Sequence, residues 1–123
     1  MNRWLALLLD AISISLFALF ARIAHQSDDM PLNFNGWLYT MLPFLAGVFI
    51  AYLIVVLPTK APADSIRPAG LSVWVIAVVV GLTVWGFNNG EVPHWSFMIV
   101  ATTASAILVL GWRALHRVIT KQQ

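Results

Sequence analysis

Four long apolar stretches, parted by short polar breaks, run along this chain. They fall at about 4–24, 37–57, 71–87 and 92–112, and each is apolar all round, with no polar stripe of the kind a soluble amphipathic helix carries. A hydrocarbon layer of about 30 Å takes about 20 helical residues to cross, so each stretch predicts a transmembrane helix. The breaks carry loop chemistry. Gln26 to Pro31 with Asn33, Asn35 and Gly36 form the first, and Pro58 to Gly70, with three prolines, the second. Asn88-Asn89-Gly90-Glu91 is short enough to make the last two helices an antiparallel hairpin. Pro43, inside the second stretch, frees one carbonyl and predicts a kink there. The pattern predicts a single all-α membrane domain of four helices, closed by a short basic tail at 113–123.

The first stretch exceeds the usual apolar core of a cleavable leader, about 7–15 residues, and has no small-x-small site at the right place, so it reads as a retained helix.

Composition agrees with this reading. Of 123 residues, 60% are hydrophobic and 10% charged, a mixture that could not cover a soluble core of this size with polar surface. There is no cysteine, which removes thiolate metal sites and cysteine nucleophiles. A net charge of +2 invites comparison with nucleic-acid binders, but the cations form no tract or stripe. No nucleic-acid partner is expected.

The cations instead predict orientation. Arg3, Lys60, Arg67, Arg113, Arg117 and Lys121 fall on one side if the chain crosses four times, whereas the other side has Arg22 with Asp28, Asp29 and Glu91. Both termini are therefore expected in the cytoplasm. The tryptophans are read as interface anchors, with Trp4, Trp74 and Trp112 at the cytoplasmic ends and Trp37, Trp85 and Trp95 at the outer ends.

Asp10 is the acid placed within hydrocarbon. An unpaired carboxylate at that depth costs about 2.5–3.5 kcal/mol on insertion scales. Arg67 and Arg113 lie on the same side, so an interhelical ion pair is the expected solution, with either arginine as partner. A proton or cation site, or a carboxylate snorkelling to the headgroups, are the other readings. On the opposite side Arg22, His25 and His94 gather with acids, but their spacing matches no ligand motif, and no metal, haem or other cofactor is expected. His116, among the last cations, reads as solvated or lipid-facing. Small residues four apart, Gly47 with Ala51, Ala77 with Gly81 and Ala101 with Ser105, predict close helix packing within the chain. No phosphate loop, activated nucleophile or carboxylate pair is present, so no enzymatic activity is expected.

Several stretches carry a resemblance. Asp10…Phe17-Ala18…Arg22…His25, Pro43-Phe44-Leu45-Ala46-Gly47, Arg67-Pro68-Ala69-Gly70-Leu71…Trp74…Gly81 and Phe97-Met98-Ile99-Val100-Ala101…Leu110-Gly111-Trp112-Arg113-Ala114-Leu115 resemble the domain-of-unknown-function 3054 family. These are small four-helix membrane proteins found chiefly in actinobacteria. The Arg-Pro-x-Gly and Gly-Trp-Arg elements are the most specific parts. The resemblance implies a bacterial plasma-membrane location and motif positions at Asp10, Arg22, His25, Arg67 and Arg113. This chain departs from the family pattern at Ala77 and Trp85, where a threonine and an arginine are frequent. The family brings no activity with it.

Three functional readings follow, in order. The chain is a non-enzymatic accessory or scaffold subunit of a larger membrane complex, of a respiratory or envelope kind, whose partners are the bilayer and other membrane subunits or further copies of itself. Alternatively it is an oligomeric transporter or channel component built on Asp10 and the cytoplasmic-side arginines. Last, it is a membrane enzyme or cofactor carrier using His25 and His94.

Overall fold

The computed structural model describes residues 2–24, 34–60, 62–90 and 95–121. Among them the chain is helical, with no strand. Helix α1 is Arg3–Ala24, α2 is Phe34–Ala51, α3 is Leu71–Asn89 and α4 is Trp95–Lys121. Four spans are long and apolar enough to cross a membrane: Arg3–Ala21, Phe34–Thr59, Ile66–Asn88 and Trp95–Thr120. Helix α1 packs against α2 and α4, and α3 packs against the same two, so α1 and α3 stand diagonally in a four-cornered bundle. The start of α1, the end of α4 and the 62–70 segment share one end, called here the terminal end.

Helix boundaries differ from the apolar pattern in instructive ways. Helix α2 starts at Phe34 rather than at 37 and runs past Ala51 through a π-helical stretch, Tyr52–Val56, and a last turn, Leu57–Thr59. The widening lies directly upstream of Pro58, which has no N–H and whose ring crowds the carbonyl four residues before it. Lys60, in the left-handed conformation (φ 56°), then ends the helix with its N–H on the Leu57 carbonyl. Asn88 and Asn89 complete α3, and Gly90 (φ 69°) caps it. Helix α4 does not stop at 112. The basic segment after Trp112 is helical as far as Lys121, since nothing in it breaks a helix. At 27 residues α4 is about 40 Å long, so its last turns project beyond a hydrocarbon layer of about 30 Å.

The bundle is polar and charged inside at one end and apolar outside. Buried positions recur every fourth residue on α3 (Val73, Ala77, Gly81, Trp85) and on α4 (Phe97, Ala101, Ser105, Val109, Arg113). Large apolar side chains such as Leu8, Ile12, Phe49, Leu53, Val79 and Ile107 are exposed on the outer faces, the distribution that a lipid solvent favours. Away from the terminal end the core is aromatic. Phe17 meets Phe44 edge-on at 4.8 Å between ring centroids, and Trp85 stacks on Phe97 at 5.4 Å. Trp85 is thus a core residue, not an interface anchor, because its i, i+4 row faces the bundle axis.

All six small residues at helical spacing are buried. A Cβ on Gly47 would lie 2.6 Å from the Ala77 Cα, so α2 and α3 touch backbone to backbone. A Cβ on Gly81 would fall within the Phe44 ring. Ala51, Ala101 and Ser105 pack into the same interior. The Ser105 hydroxyl donates to the Ala101 carbonyl of its own helix.

Candidate functional site

Counting turns brings the site together. Asp10 lies seven residues inside the start of α1 at Arg3, and Tyr52 lies seven residues before the end of the second span at Thr59. Antiparallel helices therefore put the two side chains at one depth. Arg113 is on the inward row of α4 at the same level.

The contacts are dense. Arg113 donates in fork fashion to Asp10, Nη1 to Oδ1 at 2.7 Å and Nη2 to Oδ2 at 2.8 Å. The Tyr52 hydroxyl donates to Oδ2 at 2.6 Å, and the Trp112 indole N–H donates to Oδ1 at 2.9 Å. Each carboxylate oxygen thus accepts two hydrogen bonds. The other guanidinium N–H groups reach backbone carbonyls: Nε and Nη2 donate to Ala63 at 3.2 and 3.0 Å, and Nη1 donates to Val109 at 3.1 Å. All five N–H groups have an acceptor. The guanidinium carbon also sits 4.3 Å from the centre of the Trp112 ring, whose face attracts a cation.

Asp10 and Arg113 are both 0% exposed. Two charges out of water are tolerated only when paired and when their remaining donors and acceptors are met. Here the protein alone meets them. Gly70 makes the space, since a Cβ there would come 2.8 Å from the Arg113 Cδ. The 62–70 segment is ordered around this contact. Ser65 donates through both its N–H (3.1 Å) and its hydroxyl (2.7 Å) to the Pro62 carbonyl, and Gly70 donates to the Ser65 carbonyl at 2.9 Å.

Of the two arginines expected beside Asp10, Arg113 takes the position and Arg67 does not. Arg67 has an extended backbone (φ −119°, ψ 131°), and its side chain is exposed. It lines an open surface cleft with Asp64, Ser65, Ile66 and Arg117. His116 pairs with Asp64 at 3.1 Å. The opposite cluster lies outside the described residues: His25 and His94 entirely, and Arg22 for its side chain. Among the described residues no group of three His, Asp or Glu is placed to hold a metal.

Three ligands of the pair carried no signal of their own. Tyr52 is one polar hydroxyl in an apolar run, marked only by its depth match with Asp10. Trp112 reads as a headgroup anchor, yet it spends its N–H on the carboxylate. Trp74 and Trp37 likewise donate to backbone carbonyls of neighbouring helices, Thr102 at 3.0 Å and Ser15 at 2.9 Å. The Ala63 carbonyl belongs to a loop whose path residue types do not dictate.

No curated protein and no protein of solved structure matches the chain. A family model described as "Protein of unknown function (DUF3054)" matches residues 7–116, which include Asp10, Tyr52, Ala63, Trp112 and Arg113. With nearly its whole length matched, this small membrane-type helical chain belongs to the domain-of-unknown-function 3054 family.

Proposed function

We propose that this chain is a non-enzymatic accessory or scaffold subunit of a larger assembly in the bacterial plasma membrane, with both termini cytoplasmic, and that Asp10–Arg113 is the latch holding its bundle closed. The saturation of that pair carries the reading. A transport site must release and rebind a proton or a cation, which needs an acceptor left open to a path. The Asp10 oxygens are already occupied by four protein donors on three side chains, and a buried network this complete favours rigidity over exchange. The transporter or channel reading draws on Asp10 and Arg113 as well, but both are engaged with each other, and Arg67 does not reach the carboxylate.

The orientation rests on the cations at the terminal end, Arg3, Lys60, Arg67, Arg113, Arg117 and Lys121. Apolar outer faces on α3 and α4, with Val75, Val79, Ile99 and Ile107 exposed, offer other transmembrane helices a packing surface. Extraction of the chain from its native membrane in a mild detergent tests the proposal. Stable co-purification with a large complex supports it. A homogeneous small homo-oligomer with nothing else attached overturns it in favour of the transport reading.

A further inference from the structure

The cleft at the terminal end is a second place where charge is organised. It has a volume of about 550 Å³ and is lined by Asp64, Ser65, Ile66 and Arg67 of the segment leading into α3 and by Arg117 of α4. Arg117 lies one turn beyond Arg113, about 6 Å nearer the surface at 1.5 Å per residue. It also lies 22 residues, about 33 Å, from the start of α4 at Trp95, a distance that exceeds a hydrocarbon layer of about 30 Å.

The charge balance in the lining favours an anion. Neither Arg67 nor Arg117 has an ion pair or hydrogen bond from its side chain among the described residues, and both are exposed. The one carboxylate in the lining, Asp64, is held by His116 Nε2 at 3.1 Å. Two guanidinium groups against one engaged carboxylate leave a net positive lining. The wall is also built in advance. Arg113 clamps the Ala63 carbonyl from behind, directly beside Asp64, and Ser65 ties the loop to Pro62 and Gly70. Guanidinium forks match the oxygens of a phosphate, and basic pockets between helix ends at a membrane surface suit anionic headgroups.

We infer that Arg67 and Arg117 form a phosphate site that takes the headgroup of an anionic phospholipid from the leaflet at the terminal end. The inference is separate from the scaffold reading, because its variants leave Asp10 and Arg113 untouched. The purified full chain in detergent is titrated with short-chain phosphatidylglycerol, with phosphatidylcholine and with inorganic phosphate, and bound lipid is read by native mass spectrometry. Phosphatidylglycerol is retained in preference to phosphatidylcholine. At about fivefold per surface arginine, the Arg67→Ala/Arg117→Ala double variant weakens that binding roughly twenty-five-fold. Arg3→Ala, an exposed cation at the same end but outside the cleft lining, leaves binding unchanged. Wild-type binding by the double variant overturns the site, as does an equal loss in Arg3→Ala, which would mark diffuse surface charge. Displacement of the lipid by millimolar inorganic phosphate overturns the lipid source and leaves a soluble phosphate as the ligand.

Discussion

Replacing Asp10 with Ala leaves the Arg113 guanidinium buried with its charge unmatched. The change removes two charge-assisted hydrogen bonds, at 2.7 and 2.8 Å, and strands the Tyr52 hydroxyl and the Trp112 N–H. Breaking a buried pair from one side costs about 3–5 kcal/mol. Arg113→Met has a cost of the same order, because it strands the carboxylate and also the Ala63 carbonyl, whose two donors are both on Arg113. The double variant Asp10→Ala/Arg113→Met removes both charges. It should be more stable than the sum of the single changes allows, by about 2–3 kcal/mol. Reversible unfolding in mixed micelles of rising dodecyl sulfate content, followed by tryptophan fluorescence, measures all four corners of this cycle. Single variants within about 1 kcal/mol of wild type, or additivity within about 0.5 kcal/mol, would refute the idea that the pair latches the bundle.

Tyr52→Phe removes one of four donors to Asp10 and should cost about 1–2 kcal/mol in the same assay; no change would show that the 2.6 Å contact contributes nothing. Gly81→Ala drives a methyl into the Phe44 ring and should destabilise by about 1–3 kcal/mol, and Phe44→Leu in that background should recover part of the loss. If it recovers none, the crowding lies elsewhere. Topology is readable with single-cysteine variants, since the chain has no cysteine. A membrane-impermeant maleimide should label Asn35→Cys in intact cells and Lys60→Cys only after permeabilisation, and the reverse pattern would refute the orientation.

The four spans were legible because lipid solvent leaves a strong mark: about 20 apolar residues at a time, with proline, asparagine and glycine between. Asp10 stood out for the same reason, as a carboxylate where water is absent. Its partner was legible only to within two arginines. Lipid-facing and bundle-facing positions are equally apolar, so composition does not reveal which way a helix is turned. The inward row 97, 101, 105, 109, 113 on α4 settles the matter in favour of Arg113, while an extended backbone at Arg67 turns that side chain outward. Trp85 and Trp112 were hidden by an ambiguity of indole itself, which suits both a headgroup interface and a core position with an acceptor for its N–H. The Ala63 carbonyl, being main chain, leaves no trace in residue type at all.

The long separation between Asp10 and Arg113 has a consequence for how the protein is made. The two residues are 103 positions apart, and synthesis proceeds at about 5–20 residues per second, so the carboxylate exists for roughly 5–20 s before its guanidinium does. Helix α1 must therefore be committed to the bilayer carrying an acid whose final counter-ion has not been translated. Tyr52, 42 positions on, is the first of its ligands to emerge, and Trp112 and Arg113 arrive last and together. The order in which contacts become available is thereby fixed: Tyr52 can reach the carboxylate once α2 has been made, whereas the fork from Arg113 can close only after the final helix has emerged. A ribosome stalled before Trp112 would leave an insertion intermediate whose weakest point is its first helix.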